Sequence, residues 1–179
     1  MAHTLRDIPK PLSGEYPAYA SMYIDLLPDD GRVLAHLATM AEDVPERMRA
    51  LSAGVLGSRY APSKWTVKEV LVHIVDDERI YACRALRFAR NDTTRLPGFD
   101  QDAFTRYSDA SRRSLDSILA EYKAVRCATI TLFDGLSDDA LERAGIADGK
   151  RSTVRALAYH IAGHELHHLN LLHTRYHAL

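Results

Sequence analysis

Six of the nine histidines, His160, His164, His167, His168, His173 and His177, fall within the last twenty residues of the chain. Residues four apart on an α-helix lie about 40° apart around the axis and one turn along it. His160, His164 and His168 therefore form one stripe, and Leu157 and Leu171 share its face with Leu172 near it, which turns the stripe toward a helical core. Imidazoles at i and i+4 can both reach one metal ion, because a turn rises about 5.4 Å and each metal–nitrogen bond is about 2.0 Å. Without a metal, each buried ring would need another partner. A third ligand is still required, and two residues can carry it. His73 lies among Val70, Val72, Ile74 and Val75, while His36 lies among Leu34, Ala35, Leu37 and Met40 on a mixed face. His3, His173 and His177 sit near the ends of the chain and read as solvated.

The run His164-Glu165-Leu166-His167-His168 also reads as HExxH, in which two histidines bind zinc and the glutamate is the general base of a metallopeptidase. Its surroundings argue against that use. The extended motif fails because Leu171 replaces its glycine and Thr174 its last histidine. Glu165 is turned roughly 100° from His164, away from the histidine stripe and toward a neighbouring helix or solvent.

The elements that must position these residues are helices. No stretch shows a clean period of two, and proline and glycine cluster between runs of helix-forming residues, which predicts an all-α fold. Residues 1–31 read as an N-terminal arm over the domain, with a short helix around Ala18 to Leu27, and residues 32–179 as a single four-helix domain. The first long helix is expected from Arg32 to Ser52, with Pro45 as a kink. A capping box, Thr66 with Glu69, opens the second, which runs to Arg90. A long polar segment with Pro97-Gly98 and one helical turn at Asp102 to Tyr107 precedes the third, Arg112 to Phe133. After a polar stretch bearing Gly135, Gly145 and Gly149, the fourth starts at Ser152 or Thr153 as N-cap and ends near Arg175. So long a connection suggests a bundle with a crossover between its second and third helices, leaving these parallel. His73 then lies about 10 Å from the start of the second helix, and His164 and His168 about 12 to 18 Å from the end of the fourth, depths that agree if those helices are antiparallel.

Composition narrows the function. The chain of 179 residues is 46% hydrophobic and 26% charged, enough to bury a core. With 23 basic against 24 acidic side chains it lacks the charge excess of a nucleic-acid or anionic-membrane binder. No apolar run approaches the roughly 20 residues of a membrane span, and the N-terminal stretch lacks a signal peptide's apolar core, so the expected location is the cytoplasm. Cys83 and Cys127 show no ligand spacing and are expected to be buried reduced thiols.

The residues resemble a known family. A histidine after the WTVKEVLVHI start of the second helix, the run His73-Ile-Val-Asp-Asp-Glu-Arg-Ile-Tyr81, the segment Leu96-Pro97-Gly98-Phe99-Asp100-Gln101-Asp102, and HExHH on the last helix are together similar to the DinB/YfiT-like superfamily, over about Arg32 to Leu172. The resemblance implies a bundle of up-down-down-up topology with one divalent metal, nickel or zinc, held by three histidines that match His73, His164 and His168. It also implies a homodimer, and it brings in thiol-dependent transferases and isomerases that use a low-molecular-weight thiol. Leu169-Asn170-Leu171 depart from the arginine, glycine and glutamine that commonly follow the second histidine, and His160 and His167 are extra, as second-layer donors or alternative ligands.

Three protein ligands leave a coordination position open for water or substrate, the layout of a catalytic site. Such a metal could activate water for hydrolysis or a thiolate for transfer to a small-molecule electrophile. Asp76, Asp77, Tyr81 and Arg84 are the polar groups expected around it, with Asp77 and Tyr81, one and two turns beyond His73, the candidate catalytic residues. The rival reading is a non-catalytic stress or sensor bundle whose metal ties two helices together.

Overall fold

The computed structural model describes residues 4–176 and 178; His3 and His177 lie outside them. After a 3-10 turn at Ala18–Ala20 the helices are α1 (Ser21–Ile24), α2 (Val33–Arg49), α3 (Ala53–Leu56), α4 (Val67–Ala89), α5 (Gln101–Arg106), α6 (Leu115–Asp134), α7 (Asp138–Glu142) and α8 (Val154–Tyr176), with strands β1 (Ala144–Ala147) and β2 (Lys150–Thr153) between α7 and α8.

Local chemistry sets most of these boundaries. At the start of α4, Thr66 Oγ1 accepts from Glu69 N at 3.1 Å while the Glu69 carboxylate accepts from Thr66 N at 2.6 Å, so the capping box forms. Ser114 caps α6, and Thr153 Oγ1 accepts from Ala156 N at the start of α8. The first long helix stops at Arg49, short of the expected Ser52, because Ser52 instead caps the separate helix α3 through Val55 N.

The four long helices pack by their apolar faces. Leu34, Leu37, Phe88, Ile118, Phe133, Tyr159 and Leu172 are essentially inaccessible to water, each worth about 1.5–3 kcal/mol for an aliphatic or aromatic side chain of this size. Helix α8 runs antiparallel to α4. At one end the Tyr176 hydroxyl donates to Trp65 O at 2.6 Å, and further along the pair Tyr81 stacks on His160 at 3.8 Å. Helices α4 and α6 advance together, since Lys68 bonds the Arg113 carbonyl and Glu78 meets Arg126. Helix α2 lies against α6 in the opposite sense, with Arg126 donating to Leu37 O and Tyr122 to Met40 O.

The N-terminal arm lies along α8. The Tyr159 hydroxyl donates to Ile8 O at 2.9 Å, Thr153 N to Glu15 O at 2.9 Å, and Arg155 pairs with Glu15. Its backbone also presses on α8 at Gly163, where a methyl group would fall 2.2 Å from the Tyr23 carbonyl oxygen. Glycine at that point of α8 is what lets the arm's backbone touch the helix.

Two expectations need correction. The polar stretch before α8 is not irregular throughout: it holds α7 and an antiparallel hairpin in which Ala147 pairs with Lys150. Asp148 and Gly149 form its turn with φ of 52° and 70°, the left-handed pair that a tight hairpin demands. The strands are too short for period two to register in sequence. The cysteines are exposed rather than buried. Each follows or precedes a buried position, Cys83 before Arg84 and Cys127 after Arg126, and so faces the other side of its helix. No helix among the described residues is long and apolar enough to cross a membrane.

Candidate metal centre

Antiparallel packing of α4 on α8 brings His73 to His164 and His168. His164 Nε2 lies 3.1 Å from His73 Nε2 and 3.1 Å from His168 Nε2, and all three side chains are buried. Their ligand atoms fall within 4.8 Å of one another. An imidazole nitrogen offers one in-plane lone pair or one N–H, so His164 Nε2 can satisfy only one of its two neighbours by hydrogen bonding. Nitrogens bound about 2.0–2.1 Å from one ion would lie roughly 2.9–3.4 Å apart in tetrahedral or octahedral geometry, and the two spacings to His164 fit that range. The donor set thus suits a cation better than it suits itself.

Its protonation agrees. Burial pushes His164 down to about 3 and His168 to about 2, with Asp77 pulling the other way, and it lowers His73 too. All three rings are therefore neutral near pH 7, the state that ligates.

Asp77 stands behind this group. Its Oδ2 is 3.4 Å from His164 Nδ1 and 3.6 Å from His160 Nε2. Burial would raise the Asp77 carboxyl, but His164 and then His160 hold it well below the usual carboxylate range. Even without a hydrogen bond, the carboxylate's charge beside His164 Nδ1 favours a proton there and leaves Nε2 as the free donor atom. Among the described residues, Asp77 Oδ2, His160 Nε2 and His168 Nδ1 are buried without a hydrogen-bond partner.

Two cavities flank the cluster. One, of about 400 Å³, reaches His168 and is walled by Tyr60, Trp65 and Tyr176. The other, of about 170 Å³, reaches His164 and His160 and is lined by Asp77, Tyr81 and Arg84. The Tyr81 hydroxyl shares a hydrogen bond of 3.1 Å with Tyr19, and its ring lies under the Arg84 guanidinium at 4.7 Å. Asp76 is turned away, toward Arg79 and a separate surface hollow with Glu121.

His36 is not part of the group; its Nε2 pairs with Asp30 at 2.9 Å at the surface. His173 is exposed, while His167 meets the edge of Tyr23 at 5.4 Å between centroids. Glu165 points into the core on the far side of α8. There it accepts from Tyr122 at 2.6 Å and from Arg126 at 2.7 Å, and Arg126 also bonds Glu78 at 2.8 Å. Fully enclosed and committed to these partners, Glu165 is unable to reach a water beside the histidines.

Sequence reading missed Trp65 and Tyr23. Trp65 packs on His73 at 4.7 Å, and an aromatic just ahead of a capping box was the available signal. Tyr23 meets His160 and His164 edge-on at 5.0 and 5.3 Å; its only trace in the sequence is Gly163, the single glycine inside α8.

The family model of the DinB superfamily matches residues 36–172. The chain belongs to the DinB superfamily. That match spans most of α2 through most of α8, and so contains all three clustered histidines. No curated protein matches the chain. Among solved structures it is similar to YfiT from Bacillus subtilis, described as a probable metal-dependent hydrolase with an unusual four-helix bundle topology, at 17% identity and a TM-score of 0.66 over 90% of this chain and 88% of that one. It is also similar to a mycothiol-dependent maleylpyruvate isomerase, at 14% identity and a TM-score of 0.61 over 83% of this chain and 62% of that one. These likenesses show a fold shared with both proteins.

Proposed function

We propose that this DinB-superfamily protein is a metal-dependent enzyme in which His73, His164 and His168 hold one divalent ion, nickel or zinc, and that it acts on a small molecule as a thiol-dependent transferase or a hydrolase. The observation that carries the reading is the convergence of three buried, neutral imidazoles, with the Nε2 atoms of His73 and His168 each 3.1 Å from that of His164, a set that hydrogen bonding alone leaves unsatisfied. When bound, such an ion supplies Lewis acidity that lowers the pKa of a coordinated water or thiol.

The chain's own groups supply the rest. Asp77 orients His164 and keeps its Nε2 free. Tyr81, whose hydroxyl is pushed far above its ordinary value by burial and then by Asp77, stays protonated and can donate a hydrogen bond to a bound ligand. Arg84 adds a fixed positive charge on the same wall. Both cavities adjoin the histidines, so a small molecule has access to the centre, and this favours catalysis over a sealed structural site. The structural neighbours, one described as a probable metal-dependent hydrolase and one as a mycothiol-dependent isomerase, support the two reaction classes.

The same reading takes residues 32–179 as one domain of up-down-down-up topology with residues 1–31 as its arm, working as a cytoplasmic homodimer; the helix directions described above support the topology, and sedimentation velocity tests the dimer. Metal analysis of protein purified without a histidine tag should give about one ion per chain. His164→Ala and His168→Ala should abolish tight binding and His73→Ala should nearly do so, whereas His36→Ala should not. Loss of metal in His36→Ala with retention in His73→Ala would overturn the ligand set. Turnover is then sought with a thiol plus an electrophile and with small esters or amides, and metal-loaded protein inert to all of them points to the non-catalytic alternative.

A further inference from the structure

Among the described residues two arginines are buried, and one of them lacks a carboxylate. Arg126 is held by Glu78 and Glu165, as an enclosed guanidinium requires. Arg84, 7% exposed, carries five N–H donors but uses one of them: its Nη2 donates to Pro97 O at 3.2 Å, and no carboxylate of the described residues lies within ion-pair distance. Its planar group otherwise meets ring faces, Tyr81 at 4.7 Å and Phe99 at 5.9 Å. The donors left over open onto the cavity of about 170 Å³ that Arg84 lines beside His164. Two carboxylates share that wall, and neither serves Arg84. Asp77 precedes it by about 10 Å of helix rise and faces His164 and His160. Asp148, exposed on the hairpin turn, pairs with Lys150. A buried guanidinium without a counter-ion, bordering a space of that size, suits a small planar anion, which it can grip with two parallel hydrogen bonds.

We propose that this cavity is a carboxylate-binding subsite anchored by Arg84: the protein takes a small organic acid whose carboxylate sits on the Arg84 guanidinium. Arg84, Tyr81, His160 and His164 follow one another along the wall in steps of 4.7, 3.8 and 5.7 Å. An acid anchored at Arg84 thus lies beside the histidine centre rather than on its ion. What becomes of the acid rests on the metal-centre reading; its binding does not, because Arg84 stands about three turns beyond His73 on α4.

The probes are butyrate and its neutral isostere butanamide, titrated by NMR into metal-free and zinc-loaded protein with zinc content measured alongside. The backbone amides of Gly98 and Ala147, which line the cavity, report occupancy. In the parent, butyrate should shift both amides saturably and bind about tenfold or more tighter than butanamide, with or without zinc. Arg84→Gln, which can still donate to Pro97 O, should bring that ratio below about threefold. Arg84→Lys keeps the charge without the planar fork and should fall between the two. Asp148→Asn removes a competing anion from the wall and should tighten butyrate severalfold while leaving butanamide unchanged. An arginine that merely holds Pro97 and the two rings would give no preference for the acid in any of these proteins. The proposal is overturned if butyrate shows no preference over butanamide in the parent, if the preference survives Arg84→Gln, or if butyrate binds only to zinc-loaded protein. Inorganic phosphate binding more tightly than butyrate would overturn the assignment to carboxylates. Should Arg84→Gln fail to fold, Asp148→Asn decides, and an unmoved butyrate affinity there overturns the subsite. Acid held through Arg84 by protein that takes up no zinc fails the metal reading and upholds the subsite; zinc bound with no preference for the acid does the reverse.

Discussion

His164 and Glu165 are neighbours in sequence with opposite fates, one facing Asp77 and the other histidines, the other locked to Arg126 and Tyr122. That contrast predicts a separation of effects. Asp77→Asn removes the charge behind His164 and should weaken metal binding by roughly 10–100-fold, read by competition with a chelator, while leaving the fold intact. Glu165→Gln should leave metal affinity unchanged but lower unfolding free energy by about 1–3 kcal/mol in urea titration, because Arg126 keeps Glu78 while one charged bond is lost. A large loss of metal in Glu165→Gln would contradict the geometry of α8. The four-residue spacing made the His160–His168 stripe legible, and helix rise brought His73 to matching depth. Tyr23 was not legible, because its place depends on a contact across 140 residues, from 23 to 163, that leaves no periodic mark.

At the scale of elements, signals that act within one turn of chain were readable and those that act between elements were not. The Thr66–Glu69 box announced α4 and the threonine cap announced α8. The hairpin before α8 was missed although Asp148-Gly149 is a turn signal, because strands this short draw stability from what they pack against. Two glycines there test different physics. Gly149 has φ of 70° with nothing near an added methyl, so Gly149→Ala should cost about 1 kcal/mol through backbone strain alone. Gly145 has ordinary backbone, but a methyl would lie 2.1 Å from the Phe88 ring, so Gly145→Ala should cost more, about 1–3 kcal/mol. Thermal melts of both variants rank the two, and a reversed order would mean the hairpin is not pressed on α4 as described.

For the whole molecule, acid should act through the histidines first. Their folded pKa values lie below the unfolded value of 6.5, so between 6.5 and about 3 the unfolded chain binds more protons and stability falls as pH drops. Glu15 and Glu121 are also lowered, against burial, by Arg155 and by Arg79 respectively; their contribution is lost at lower pH, below the ordinary value of 4.5. Melting temperature should thus begin to decline below about pH 6.5. Zinc, which also needs neutral rings, should raise the melting temperature at pH 7.5 far more than at pH 5. Equal stabilisation at both would argue against histidine ligation.

The seating of the arm on α8 also bears on how the chain is made. Ile8, Glu15 and Tyr23 emerge from the ribosome early and find Tyr159, Arg155 and Gly163 only when the last long helix appears. Until then Arg126 has Glu78 but not Glu165, and the apolar faces of α2 and α4 are uncovered. Such high-separation contacts slow folding and lengthen the exposure of nascent apolar surface. A ribosome stalled before α8 would therefore present a chaperone substrate, and binding competence would arrive all at once when α8 emerges and docks.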